Sequence, residues 1–457
     1  MSLKKDVETF FDAPAEALEM GVEQLNKAEN ELIGKRPFRV AQEYIYNLGP
    51  GLTTGAADDD PSGIATYSQV GAAYGFQFLW LSLFSFPLMA VVQEMCARIA
   101  IVTGEGLAAN IRKQYPAPVL YVCAVLLFAA NTFNLGADLG AMAKATQLLL
   151  PTADFAFLVV LFAAISLLLQ VFTTYARYAK YLKYLTLALF AYVATAFFAH
   201  VDWHEALVHT VVPSITFSQN EILLICAVLG TTISPYLFFW QTSQEVEEEV
   251  LKGERTVAER AKERPHKKTE IREMRFDVWS GMFFSNAVMF FIIAACAATL
   301  FAHGITNIQT ADQAASALEP FAGQWAFGLF ALGIVGTGFL AVPVLAGASA
   351  YAIAESFRLK TGLYRKLKDA YAFYGVIIVS MFIGLAMNFV GIDPIKALIY
   401  SAVGNGIVAP VVLFFIVHLS SDKEVMGAHT NKKLATYIGW ITVAAMTLAG
   451  LAVLVTL

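Results

Sequence analysis

Residues 49–75 read GPGLTTGAADDDPSGIATYSQVGAAYG. The stretch opens a long apolar tract, yet it carries Asp58, Asp59 and Asp60 side by side, followed by Pro61 and Gly63. Pro61 cannot donate a hydrogen bond within a helix, and Gly63 tolerates an unwound backbone. The stretch therefore predicts a helix broken in its middle. An aspartate at the centre of a membrane helix costs about 2.5–3.5 kcal/mol on insertion scales. Three neighbours facing lipid would cost far more, so they must face protein, water or ions.

The rest of the chain makes the membrane the setting. Of 457 residues, 58% are hydrophobic and 15% charged, against about 25% charged in soluble domains. Apolar runs of about 18 residues or more recur from near residue 44 onward. A net charge of −5 offers no basic face for nucleic acid. The runs are continuous rather than short and alternating, which excludes an outer-membrane barrel. The spans 44–74, 78–102, 118–148, 154–174, 180–200, 220–243, 277–302, 325–354, 371–390, 397–419 and 435–456 predict eleven helices in an all-α polytopic membrane protein.

Charge in the connections orients them. Arg112 and Lys113, then Arg177, Lys180 and Lys183, then Arg358 to Lys368, then Lys423, Lys432 and Lys433 fall on one side, while 200–219 and 303–323 hold no Lys or Arg. Basic loops mark the cytoplasmic side, so the N-terminus is expected inside the cell membrane. Residues 1–43 read as a cytoplasmic arm with a weak apolar stripe at Phe11, Ala15, Leu18, Val22 and Leu25. The insertion 244–276 opens with Glu245, Glu247, Glu248 and Glu249 and continues basic. It reads either as a solvated helical loop or as an acidic lip on a cation exit. Cys96, Cys123, Cys226 and Cys296 lie inside apolar runs without metal-site spacing, and are expected buried and free of disulfides.

A second break stands in the sixth span, where residues 226–244 read CAVLGTTISPYLFFWQTSQ. Gly230, Thr231, Thr232, Ser234 and Pro235 interrupt the apolar run. The first and sixth helices are equivalent positions in a repeat of five plus five, here 44–200 and 220–419, with 435–456 an extra helix. Paired interrupted helices are the sequence pointer to a transporter's central site, where freed carbonyls and helix termini coordinate ions.

These residues resemble the NRAMP family of divalent-metal transporters. Gly49-Pro50-Gly51 matches the opening of the family's first helix, Asp60-Pro61-Ser62-Gly63 takes the place of its Asp-Pro-Gly-Asn motif, and IATYSQVGAAYG follows without a gap. FLWLSLFSFPLMAVVQEMCARIAIVTGEGLA at 78–108 is similar to the second helix, and Gly136-Ala137-Asp138 to the start of the third-helix Ala-x-Asp-x-x-Glu. The resemblance implies a LeuT-like fold with an inverted repeat, an ion between helices 1 and 6, and proton-coupled uptake. The departures are informative. The motif asparagine is Gly63, the sixth-helix Met-Pro-His is Ser234-Pro235-Tyr236, the third-helix glutamate is Ala141, and a tenth-helix glutamine corresponds to Ala402, near Asn405.

Replacing thioether and amide by hydroxyl hardens the site toward Mg²⁺, Ca²⁺ and Mn²⁺. Mg²⁺ keeps several waters and takes one or two carboxylates. The expected cargo is a partly hydrated divalent cation, Mg²⁺ or Mn²⁺. Asp60 is its main ligand and Asp59 the second carboxylate, with the Thr231 carbonyl and Ser234 hydroxyl assisting. Asp138 and Asp58 are the proton-pathway candidates; without a glutamate at 141, a voltage-driven uniport is the other option. Asp138 pairing with Lys144 is a further alternative, and Gln241 is a candidate for the inner path. Asp277 and Asn286 are expected at a helix start and in an interhelical hydrogen bond. No cofactor is expected. The alternative function is a LeuT-fold carrier of an organic solute or anion with Na⁺ or H⁺, although three aspartates would repel an anion. His204 and Glu205 do not form HExxH, so a metalloprotease is excluded. The oligomeric state is not readable.

Overall fold

The computed structural model describes residues 49–173, 185–251 and 267–456. The N-terminal arm, most of the insertion's basic half and the first residues of the fifth span lie outside this set. Where the first membrane helix was expected there are two, α1 (Pro50–Asp58) and α2 (Pro61–Tyr74). They are followed by α3 (Trp80–Thr103), α4 (Leu107–Gln114), α5 (Ala117–Leu149), α6 (Phe155–Phe172), α7 (Phe190–Phe198) and α8 (Trp203–Val211). The sixth span is also double, α9 (Gln219–Thr232) and α10 (Pro235–Leu251). Then come α11 (Lys267–Thr299), α12 (Ala326–Ser356), α13 (Tyr371–Met387), α14 (Pro394–Ser421) and α15 (Lys433–Thr456), with short helices at Ala311–Ser316, Glu319–Ala322 and Lys423–Met426.

The boundaries follow local chemistry. Pro61, Pro235 and Pro394 each stand first in a helix, where a missing N–H costs nothing and φ is preset. Asp154 accepts from Phe157 N at 2.8 Å, and Asp393 from Ile395 N at 3.0 Å. Ser218 and Glu221 form a capping box at the start of α9. Gly104 ends α3 at φ 68°, a left-handed conformation natural to glycine.

Among the described residues, eight helical stretches are long and apolar enough to cross a membrane. In the most apolar 18-residue window of Gln219–Leu251, 83% of residues are buried inside the protein, against 28% in that of Lys433–Thr456. The sixth-span pair is therefore central and α15 peripheral. α11 runs along both halves of the first span. A Cβ on Gly51 would lie 2.6 Å from the Val278 nitrogen. Such close backbone approach is how helices associate in lipid, where apolar burial between them gives no drive. The four cysteines are buried and unbridged.

Two expectations need correction. The acidic opening of the 244–276 insertion is not a solvated loop, because α10 continues through it and turns Glu245 and Glu247 inward. Glu245 accepts from Gln241 Nε2 at 2.9 Å, and Glu247 from the Leu363 amide at 2.6 Å and from the Tyr351 hydroxyl. Lys144 does not pair with Asp138. Its ammonium lies 5.1 Å from the centre of the Phe155 ring, a cation–π contact that satisfies it locally.

Candidate functional site

Each break spans two residues, Asp59–Asp60 and Ile233–Ser234, and each is closed by a proline that starts the next helix. Asp60 is the N-cap of α2, with extended backbone at φ −69° and ψ 171°. Its Oδ1 accepts from the Gly63 amide and the Ser62 hydroxyl, both at 2.7 Å. This cap fixes the carboxylate at a helix N-terminus, where the dipole favours negative charge. Its Oδ2 faces away from α2. It accepts from Asn134 Nδ2 on α5 at 3.0 Å, with the Tyr236 hydroxyl at 3.5 Å.

The two breaks touch. Ser62 Oγ lies 3.3 Å from Thr231 Oγ1, and Tyr236 donates to the Ala57 carbonyl at 3.2 Å, one of the groups freed where α1 ends. A Cβ on Gly63 would sit 3.3 Å from both Thr231 Oγ1 and the Asp58 carbonyl, so the loss of a side chain at 63 lets the breaks meet. Gly230 packs against the Ala402 carbonyl and Gly406, with 2.7 Å from a hypothetical Cβ to Gly406 Cα. Ser234 Oγ reaches the Gly230 carbonyl at 2.6 Å and the Thr231 carbonyl at 2.7 Å. Both candidate ligands from the second break are thus together, with the hydroxyl capping the carbonyls that the break releases.

The three aspartates do not converge. Asp58 takes the Ser285 hydroxyl of α11, and Asp59 Oδ1 lies 3.3 Å from that same oxygen. One hydroxyl hydrogen cannot serve both, and Asp58 Oδ1 is buried without a hydrogen-bond partner among the described residues. Asp138 stands one helical turn from Asn134 on the same face of α5, and among the described residues neither of its buried carboxylate oxygens has a hydrogen-bond partner. Among the described residues no Lys or Arg pairs with any of the four acids. Nor do three His, Cys, Asp or Glu side chains converge on one point. A cation here would meet carboxylate, hydroxyl, carbonyl and water rather than a carboxylate cage.

Gln241, the inner-path candidate, is fully buried behind Glu245. At that end Glu355 accepts from the Ala109 amide at 3.2 Å and Glu247 accepts from the Leu363 amide of the 357–370 connection. Asp277 lies inside α11, not at its start, and Asn286 accepts from Ser85 at 2.9 Å, the expected interhelical bond. Asn134, Ser285 and Ser401 were not anticipated. A polar residue four positions before Asp138 in an apolar run was the available signal for Asn134.

The sequence matches the natural resistance-associated macrophage protein-like family over residues 51–456. The chain belongs to that family. Among its NRAMP relatives, the divalent metal cation transporter MntH of Verminephrobacter eiseniae is 26% identical over 420 residues, covering 91% of this chain and 90% of that protein. The manganese transporter of Eremococcus coleocola superposes with a TM-score of 0.69 at 17% identity, covering 89% and 86% of the two chains. The nucleobase-cation-symport-1 transporter MHP1 superposes at 0.53 and 17% identity, covering 90% and 91%. At such identities the superpositions speak for the fold, which is the LeuT-like one expected, in a membrane protein with multiple apolar spans.

Proposed function

We propose that the chain carries a partly hydrated divalent cation, Mg²⁺ or Mn²⁺ foremost, across the cell membrane by alternating access, with its basic loops on the cytoplasmic side. The observation that supports this most is the buried carboxylate of Asp60 at the meeting of two broken helices, hydrogen-bonded but without a Lys or Arg partner among the described residues. Burying charge without a counter-ion costs several kcal/mol, and a divalent cation removes that cost. Curated relatives named as divalent metal cation transporters support the same reading.

Asp60 Oδ2 is the primary ligand in this reading. Thr231 and Ser234 supply neutral oxygens and water fills the rest, the arrangement Mg²⁺ tolerates because it keeps much of its hydration shell. Asp59, turned toward α11, joins only if the first break shifts. Asp58 and Asp138 are the groups through which protons would be exchanged, and Gln241 lines the path toward the basic end. An anionic solute is disfavoured, because among the described residues no Lys or Arg pairs with the acids to bind it.

The test is uptake of Mn²⁺ and Mg²⁺ into proteoliposomes by the wild type and Asp60→Ala. The wild type should carry both and the variant neither. Normal uptake of both ions by Asp60→Ala would reject the assignment.

A further inference from the structure

Asn134 is fully buried, and its carboxamide bridges three helices. Nδ2 donates to Asp60 Oδ2 on α2 at 3.0 Å, while Oδ1 accepts from Ser401 Oγ on α14 at 2.8 Å. Ser401 Oγ also lies 2.7 Å from the Leu398 carbonyl. One hydroxyl hydrogen therefore has two acceptors within reach, and either can take it.

We propose that Asn134 is an amide switch at the ion site, presenting its N–H to Asp60 when the site is empty and its carbonyl oxygen to the cation when the site is loaded. This rests on the divalent-cation reading and adds to it the residue that senses occupancy.

The division of labour on Asp60 identifies the oxygen concerned. Oδ1 is committed to its own helix through Gly63 and Ser62. Oδ2 is the oxygen left for an ion, and in this structure the Asn134 amide stands on it. A cation cannot share that face with an N–H, since both are positive toward it. Turning the carboxamide about its last torsion, which is broad and nearly two-fold, removes the clash. Nδ2 then donates to Ser401 Oγ, and Ser401 gives its hydrogen to the Leu398 carbonyl. Oδ1 now faces the ion. Every donor keeps an acceptor in both orientations, so neither state leaves a buried polar group unmatched.

The cation decides between them. Without it, the turned amide would set a carbonyl oxygen against a carboxylate oxygen, which is repulsive. With it, carboxylate and amide oxygens flank one positive charge, and such hard oxygens suit Mg²⁺, Ca²⁺ and Mn²⁺. Position 63 has no side chain to do this, and a Cβ there would lie 3.3 Å from the Asp58 carbonyl and Thr231 Oγ1, a tight fit. The amide instead enters from α5, where the ligand's two orientations also report to α14 through Ser401.

The experiment measures Mn²⁺ binding to the purified full-length chain in detergent by calorimetry, with Mn²⁺ alone as probe, for wild type, Asn134→Leu, Asn134→Asp, Ser401→Ala and Asp60→Ala. Asn134→Leu should bind at least about tenfold more weakly, the equivalent of one lost ligand interaction of about 1.4 kcal/mol. Asn134→Asp restores an oxygen and should recover most of that loss. Ser401→Ala should weaken binding in the wild-type background and add nothing to Asn134→Leu, because both act through one turned amide. Wild-type affinity in Asn134→Leu, or Asn134→Asp binding no better than Asn134→Leu, overturns the switch. Should Asn134→Leu fail to fold, unchanged affinity in Ser401→Ala overturns it instead. Loss of binding in Asp60→Ala beside unchanged binding in the Asn134 variants removes the switch alone. Unchanged binding in Asp60→Ala removes the cation reading itself.

Discussion

Asp277 of α11 accepts the backbone amide of Gly51 at 2.6 Å, across 226 residues of sequence. Leu52 N lies 3.3 Å from its other oxygen. The first amides of a helix have no partner within the helix, and here an acid on another helix provides one. α1 is thereby fastened at its start to α11, while its other end is the break that carries the aspartates.

Asp277→Ala should release that fastening. Loss of a charged cap costs about 1–2 kcal/mol. Thermal unfolding in detergent should begin at a lower temperature, and a cysteine introduced on α1 should react faster with a soluble maleimide. An unchanged labelling rate would mean that the Asp277 contact does not restrain α1.

The crossing of α9 and α14 depends on Gly230. Its hypothetical Cβ meets the Ala402 carbonyl and lies 2.7 Å from Gly406 Cα. Gly230→Ala should destabilise by about 1–3 kcal/mol through overpacking, seen as loss of the monodisperse peak on size exclusion. Gly404→Ala, on α14 with nothing within 4 Å of the added carbon, should elute as wild type.

Ser234 controls metal preference in this account. Ser234→Met places a thioether at the second break, and sulfur favours softer ions. The ratio of Mn²⁺ to Mg²⁺ uptake in proteoliposomes should rise, with Mg²⁺ transport falling. Ser234→Ala only removes the hydroxyl that caps the Gly230 and Thr231 carbonyls. It should cost about 1 kcal/mol of stability and leave the ion ratio closer to wild type.

At the basic-loop end, Glu247 links α10 to α12 through Tyr351 and to the following connection through the Leu363 amide. Tyr351→Phe should cost about 1 kcal/mol, chiefly through the lost bond to Glu247, because Gln244 Nε2 and the Leu363 amide reach its hydroxyl only at 3.4 Å, and Glu247→Ala more, because it removes the nearer acceptor of both the hydroxyl and that amide. Proteolysis of the 357–370 connection in membranes should be faster in Glu247→Ala than in Tyr351→Phe.

What the sequence made legible follows from the reach of each signal. The breaks were readable because Pro61 and Pro235 act on their own backbone, and because three aspartates in an apolar run have no inexpensive local explanation. The LeuT-like fold followed from those breaks and the motifs around them. Asn134 was not read, since its meaning depends on Asp60, which lies 74 residues away. Ser285 is a hydroxyl in an apolar helix, and only packing of α11 against α1 gives it two carboxylates to face. For Glu245 and Glu247 a run of acids reads either as a solvated helical loop or as an acidic lip, and neither reading shows their burial. Their burial is set by Gln241 on the same helix and by Tyr351 and Leu363 beyond it. For Lys144 sequence spacing offers the nearest acid on its helix as one alternative, whereas the ring of Phe155 lies 5.1 Å from its ammonium. Local chemistry is written in sequence, but partners chosen by helix packing are not.

The most direct test of the central claim is a crystal structure soaked in Mn²⁺, read by anomalous scattering. A peak in contact with Asp60 Oδ2, between the breaks at Asp60 and Ser234, is the predicted result. A strong peak elsewhere, with none beside Asp60, would contradict it.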